Sequence, residues 1–536
     1  MNHLNNFFKN YLPILTFLSI ILTQFVQQDI SGPYAHFNSN YPFLKEYSSY
    51  KNSIINYFFN FFNFFNFNYK SITIFISIFV STISMVMVFI FGYFYKKMKI
   101  VDLCFFICLL FFFEKLDLFT SGFNYPVNII IPNFATAGSI GMVSSLLTIS
   151  VYLWKSKYGI FIVFFNLFIH PTLGLLTISY LLLTAIFKKE YLNLFSLITV
   201  CIVFLFLKYD TSFLNDDLIT FIHLNDIHRM PLNFQHFEFL LLPFFLSLLN
   251  SNQKDLIVEW VFIIICILTS YIYYNLEFNF FALPVLSLMP SRGVNIGVAL
   301  IIIKSCIDLV LKPRLYKMSV VIFISILIYR LFIINTHLTT IIIGCITGLI
   351  ILSIGILYKV EMKPINKNNK TIKVRGEYLI LILLSFIIYM NFKSAEVNIN
   401  QLVYDKPKAY DKYFQSIKEP SFYISLVSDY SIPKRNKNMI PLIVLSSLDG
   451  YSYNPKVFEK GNQIFKTIFN KNLWEIDSNN SASFKYHNGG SILENYNKDD
   501  WDKVRNLKLK YLICPMISKI NLERVWEDNE YVIFKL

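Results

Sequence analysis

Lys155-Ser156-Lys157-Tyr158-Gly159-Ile160-Phe161-Ile162-Val163-Phe164-Phe165-Asn166-Leu167-Phe168-Ile169-His170-Pro171-Thr172-Leu173-Gly174-Leu175-Leu176-Thr177-Ile178-Ser179-Tyr180-Leu181-Leu182-Leu183-Thr184-Ala185-Ile186-Phe187-Lys188-Lys189 is the stretch on which the fold turns. The apolar run 159–187 is too long for one comfortable crossing of a hydrocarbon core, which takes about 20 residues. It is interrupted by His170-Pro171-Thr172-Leu173-Gly174 and has lysines at both outer ends. Two short helices joined at His170-Pro171 would return the chain to the side it came from, with both lysine pairs in one compartment. One long tilted helix would separate the pairs and invert everything after it. The hairpin is preferred because it keeps every later basic loop on one side.

That side is marked by a periodic signal. Lys96, Lys97 and Lys99 follow one apolar run, Lys155 and Lys157 another, then Lys188 and Lys189, Lys254, and Lys312, Arg314 and Lys317. The series ends with Lys359, Lys363, Lys367, Lys370, Lys373 and Arg375. Short cationic loops stay in the cytoplasm, so the alternation orients the chain. The gaps between these sets hold the acids and most of the histidines.

Composition agrees with a bilayer. The 536 residues are 55% hydrophobic and 15% charged, with mean hydropathy +0.50. A soluble domain is less apolar and more charged. The reading is an α-helical polytopic membrane protein with about 13 transmembrane helices, since only helices of this length satisfy their backbone in lipid. The +14 charge is carried largely by lysine in short loops, which speaks against a nucleic-acid partner. Six of the seven cysteines lie in apolar runs, and Cys514 stands alone, so neither a disulfide framework nor a metal spacing is present. The first run lacks a small-residue cleavage site and reads as a retained span.

The spans fall at 8–27, 71–95, 100–118, 136–154, 159–169, 172–187, 191–208, 237–250, 256–274, 294–311, 318–335, 338–358 and 377–392. Residues 1–392 form the multi-spanning body, with a cytoplasmic N-terminus. Outer segments are 28–70, 119–135, 209–236, 275–293 and everything after 393. In 56–68, Asn56, Asn60, Asn63 and Asn66 recur among phenylalanines, the pattern of an interfacial helix or of simple Asn/Phe low complexity. Residues 393–536 turn polar and read as a small extracytoplasmic α/β domain, with strands near 440–446, 510–514 and 531–535 and helices near 455–470 and 499–508.

Candidate chemistry gathers on the outer side. Asp29 follows the first span and could act as a general base or simply end the helix. Glu114 and Asp117 share a helix side and could hold a divalent cation, or stand as interfacial charges. The densest polar stretch, 208–238, carries His223, His228, Arg229 and His236, residue types that suit a phosphate or pyrophosphate as well as a solvated loop. Arg292 sits at an outer end against the cationic bias, for lipid phosphate or for snorkelling. His170 lies at the broken helix, a wall of a polar cavity or a plain hinge. Lys304 and Asp308, at i, i+4, suggest an intramembrane ion pair of the kind a proton-coupled carrier needs.

This layout resembles the GT-C superfamily of integral membrane glycosyltransferases and related bacterial envelope proteins. The matching features are an acid just after span one, an interfacial first outer loop, His170-Pro171 with Gly174, and Arg229-Met230-Pro231 with His236. The tail from Trp501-Asp502-Lys503-Val504-Arg505 to Tyr511-Leu512-Ile513-Cys514-Pro515, then Glu530-Tyr531-Val532-Ile533-Phe534-Lys535-Leu536, is also similar. The resemblance implies a GT-C-like body in the plasma (inner) membrane and a polyprenyl-phosphate-linked sugar donor. It also implies a glycan, lipid or protein acceptor, Asp29 as base or metal-associated acid, and Arg229 or Arg292 on the donor phosphate. His170, His228 and His236 are further phosphate-binding candidates from the residues themselves, and Mg2+ or Mn2+ is the divalent cation that Glu114 and Asp117 could hold. Two features depart from the family: no Asp-Glu or Asp-x-Asp pair follows span one, and no Trp-Trp-Asp motif occurs in the tail. The rival expectations are a flippase or polymerase of lipid-linked precursors and a non-catalytic envelope protein.

Overall fold

A computed structural model describes residues 69–100, 137–207, 216–225, 240–275, 289–311, 409–427, 438–442, 455–475 and 489–536, with scattered positions in 61–67, 102–110 and at 130. The described chain is mostly helical and ends in a small mixed sheet.

The membrane-type half comprises α1 (Tyr69–Phe89, widening into a π turn over Ile90–Tyr95), α2 (Ala137–Trp154), α3 (Ser156–Ile169), α4 (Pro171–Lys188) and α5 (Tyr191–Leu207). The short α6 (Asp216–Asn225) and α7 (Leu241–Leu249) follow, then α8 (Ile257–Asn275) and α9 (Ser291–Leu311). These helices are apolar on nearly every face, unlike the helices of a water-soluble domain. In α5, Leu197 and Phe204 are buried, while Phe195 and Phe206 are 70% and 83% exposed. Phe161, Ile202, Ile264 and Leu268 also point outward. An apolar surface of this extent suits hydrocarbon better than water.

Three helices among the described residues are long and apolar enough to cross a membrane: Ile78–Tyr95, Pro171–Lys188 and Gln253–Ile272. The count of thirteen spans does not carry over. At 1.5 Å per residue, the 14 residues of α3 and the nine of α7 fall well short of a ~30 Å core. The runs 8–27, 318–335, 338–358 and 377–392, and most of 100–118, lie outside the described residues.

The break at His170 is a hairpin. His170 is extended (φ −148°, ψ 100°), caps α4, and is followed by Pro171 in the first helical turn, where a missing N–H costs nothing. The two arms pack so closely that a Cβ on Gly174 would sit 2.7 Å from the Leu167 Cα. Gly159 makes the same close approach to Tyr152 at the preceding turn, so α2, α3 and α4 form a double hairpin.

The C-terminal unit contains α10 (Asp411–Gln415), β1 (Ser421–Ser425), β2 (Met439–Pro441), α11 (Pro455–Phe469), α12 (Gly489–Glu494) and α13 (Lys498–Arg505). It ends with β3 (Leu509–Pro515), β4 (Glu523–Glu527) and β5 (Tyr531–Lys535). The strand order is β2-β1-β3-β5-β4, parallel around β1 and antiparallel around β5. Here α11 is strongly amphipathic: Phe458, Phe465 and Phe469 are buried while Lys456, Glu459 and Lys466 are exposed. The strands expected at 440–446, 510–514 and 531–535 correspond to β2, β3 and β5, with β2 shorter among the described residues. β1 and β4 were not foreseen.

Among the described residues, α6 packs against the C-terminal unit. Leu218, Phe221 and Ile222 of α6 are buried in the core of the C-terminal unit, with Phe221 5.2 Å from the Phe458 ring. α6 and the tail therefore meet.

Candidate functional site

The described basic loops, from Lys96 to Lys254, converge on one end of the helical bundle. Phe94, at the end of α1, lies 4.7 Å from Trp154 at the end of α2. The Tyr152 hydroxyl donates to Glu190 beyond α4 (3.2 Å). Lys96 lies in the field of Asp255, Lys304 and Asp308, and burial pulls its ammonium below the usual lysine range. Lys155 covers the faces of Trp154 and Tyr158, and Lys96 that of Tyr95, so the cations leave the apolar zone along aromatic rings.

At the opposite end, α2, α4 and α9 begin. Gly141, in the first turns of α2, lies against His170: a Cβ there would be 2.5 Å from the His170 Cβ. Gly293, in the first turn of α9, faces Leu176 of α4 and Cys266 and Phe262 of α8. Leu176 is about 9 Å of helix rise beyond His170, so α9 begins within about two turns of the level at which α2 and α4 begin. Each carries the positive end of a helix dipole.

Arg292 adds a full charge to that field. It is 8% exposed, and its Nε is buried with no hydrogen-bond partner among the described residues. A cation at a helix N-terminus is unfavourable, and a buried donor without an acceptor adds to the cost. An anion would favour that arrangement. His170 is 4% exposed, and its Nδ1 accepts from the Leu173 amide (3.4 Å), which leaves the proton of the neutral ring on Nε2. One turn below, the Asn166 amide donates to Ser145 (3.1 Å) and Thr177 (3.3 Å), while its Oδ1 is buried with no partner among the described residues.

A second polar site lies in the lysine-side half. Glu259 of α8 is fully buried; its Oε1 accepts from the Tyr180 hydroxyl of α4 (2.5 Å) and pairs with Lys304 of α9 (2.5 Å). Lys304 also donates to the Asp255 carbonyl (3.1 Å). This corrects the expected Lys304–Asp308 pair. Lys304 crosses to another helix, and Asp308 accepts from the Ser251 amide (2.7 Å) and hydroxyl (2.5 Å). The sequence carried a signal, a lone glutamate inside the apolar run 256–274, but nothing in spacing links it to Lys304.

Of the residues singled out in the sequence, the structure describes His170 and Arg292 at the same end of the bundle. Asp29, Glu114, Asp117, His228, Arg229 and His236 lie outside the described residues. Among the described residues no group of three or more His, Cys, Asp or Glu side chains is placed to hold a metal ion. Of the interfacial segment 56–68, Phe62 is buried against Phe75 (4.9 Å), while Phe61, Phe64 and Phe65 are exposed. No protein-family model, curated protein or solved structure matches this chain.

Proposed function

We propose that this chain is a membrane glycosyltransferase that takes a sugar from a polyprenyl-phosphate donor on the outer face and passes it to an envelope glycan, lipid or protein acceptor. The observation that carries the reading is Arg292: an arginine 8% exposed at a helix N-terminus, its Nε buried without a partner among the described residues, suits a membrane-level anion, and a lipid phosphate is one. The layout supports it, because the described lysine-bearing loops lie at the other end of the bundle, where the cationic bias of short loops favours the cytoplasm. In this reading the N-terminus is cytoplasmic and the C-terminal unit outside. Asp29 deprotonates the acceptor hydroxyl, and Arg292 with His170, His228, Arg229 and His236 stabilises the departing phosphate.

Sugar transfer from a synthetic polyprenyl-phosphate donor, measured with the purified chain in lipid vesicles, tests the assignment. Arg292→Lys keeps the charge but loses the fork, and is expected to lower transfer about tenfold or more, the equivalent of ~1.5 kcal/mol. Asp29→Asn is expected to abolish it. Full transfer by Asp29→Asn removes the assigned base, and full transfer by Arg292→Ala removes the phosphate role. A second reading, a proton-coupled carrier of lipid-linked sugars, is favoured by the buried Glu259–Lys304 pair.

A further inference from the structure

Glu259 is held at one oxygen and bare at the other. Oε1 takes both the Tyr180 hydroxyl and the Lys304 ammonium, whereas Oε2 is buried and has no partner among the described residues. The Ser305 hydroxyl, beside Lys304 on α9, is also buried and unpartnered among them. A dry carboxylate oxygen without a donor is costly, and a proton is the smallest ligand that removes the cost.

We propose that Glu259 is a proton-binding site within the bundle and that Lys304 is the internal cation which the bound proton displaces. The groups facing this junction are Tyr180 from α4, Asp255 and Glu259 from the start of α8, and Lys304 and Asp308 from α9. Ser251 faces it from the turn after α7, and Tyr95 and Lys96 from the end of α1. Three carboxylates face two ammonium groups, so one bound proton makes the junction neutral.

The step balances simply. A proton from water at the lysine-bearing end adds to the Glu259 carboxylate, forming one O–H bond. The ion pair to Lys304 breaks, and Lys304 stays an ammonium. It has somewhere to go: its Nζ already touches the Asp255 carbonyl, and Asp308 lies one turn further along its own helix. Lys304 is 11% exposed, so the path to water begins at its side chain. Displacing it removes an ionic tie between α8 and α9, the helix whose other end carries Arg292. The inference stands on the junction alone and does not require the transferase reading.

Infrared difference spectroscopy on the full chain in lipid, comparing high with low pH, reads the C=O stretch of a protonated carboxyl shielded from water. The expected result is a reversible band that Glu259→Gln abolishes and Asp308→Asn retains. Lys304→Met should hold the band at every pH tested, since the displaced cation is gone. Tyr180→Phe, which deletes one oxygen, should shift the band without removing it. No pH-dependent shielded band in the unmodified chain overturns the proposal, as does a band undiminished in Glu259→Gln. If Glu259→Gln does not fold, an unshifted band in Tyr180→Phe overturns it instead.

Discussion

Arg292 shows how burial changes the meaning of a single residue. Its position was suspicious in the sequence because a cation stands on the side that short loops keep free of cations. Only packing made it informative, since a surface arginine there would be ordinary. An Nε buried without a partner among the described residues costs stability, and functional sites carry such costs. Arg292→Met should therefore raise the midpoint of thermal unfolding in detergent, by the equivalent of about 1 kcal/mol or more, while it abolishes binding of a lipid phosphate. A lowered midpoint would mean that the guanidinium is satisfied after all. His170 is the complementary case. It was readable as a break because Pro171 follows it, but its burial against Gly141 follows from how α2 returns beside α4.

At the scale of elements, the double hairpin α2–α3–α4 was legible because its punctuation is local. Lysines close the runs, Pro171 starts a helix, and Gly159 and Gly174 stand where the arms touch. Gly174→Ala is expected to cost about 1–3 kcal/mol, read as a lower unfolding midpoint, because the added methyl meets backbone at Leu167 rather than a side chain that can turn away. A neutral result would mean that the arms separate easily. The α8–α9 pair was not legible in the same way. Gly293 and Gly297 of Gly293-Val294-Asn295-Ile296-Gly297 let the helices approach, and Glu259–Lys304 ties them further along. That pairing joins positions far apart in sequence. In the sheet, β4 escaped notice because Glu523-Arg524-Val525-Trp526-Glu527 is a polar edge strand without clean alternation.

For the whole molecule, the decisive contact is α6 in the core of the C-terminal unit. Phe221→Ala deletes a fully buried ring and should destabilise that unit by about 3–5 kcal/mol, measurable as faster proteolysis of the tail at unchanged helical content of the bundle. Unchanged protection would mean that α6 only rests on the surface. The orientation has its own check: single cysteines at Lys157 and Ile517, both exposed, should react with an impermeant reagent from opposite faces of sealed vesicles. The C-terminal unit also has an alkaline limit. Burial, and then Asp500, pushes the Tyr496 hydroxyl up to about 12, and it donates to the Ile468 carbonyl at 2.6 Å. Its folded value lies above the unfolded one of about 10. Its stabilisation is therefore complete below about pH 10 and is lost as pH rises to about 12. Tyr496→Phe should flatten that part of the stability–pH curve.

The amino-acid sequence by itself determined the apolar helical body, the break at His170-Pro171, the segregation of the lysine loops and most of the C-terminal α/β elements. Each rests on composition, period or punctuation within a few residues of chain. The tertiary structure decided which charges are buried, which of them are paired, and which loop the C-terminal unit holds. Arg292 is a candidate anion site because packing buries its Nε without a partner among the described residues, and Glu259 matters because Lys304 and Tyr180 reach it from two other helices. A linear sequence records neither desolvation nor distance between remote segments, and those two quantities set the energy of a buried charge.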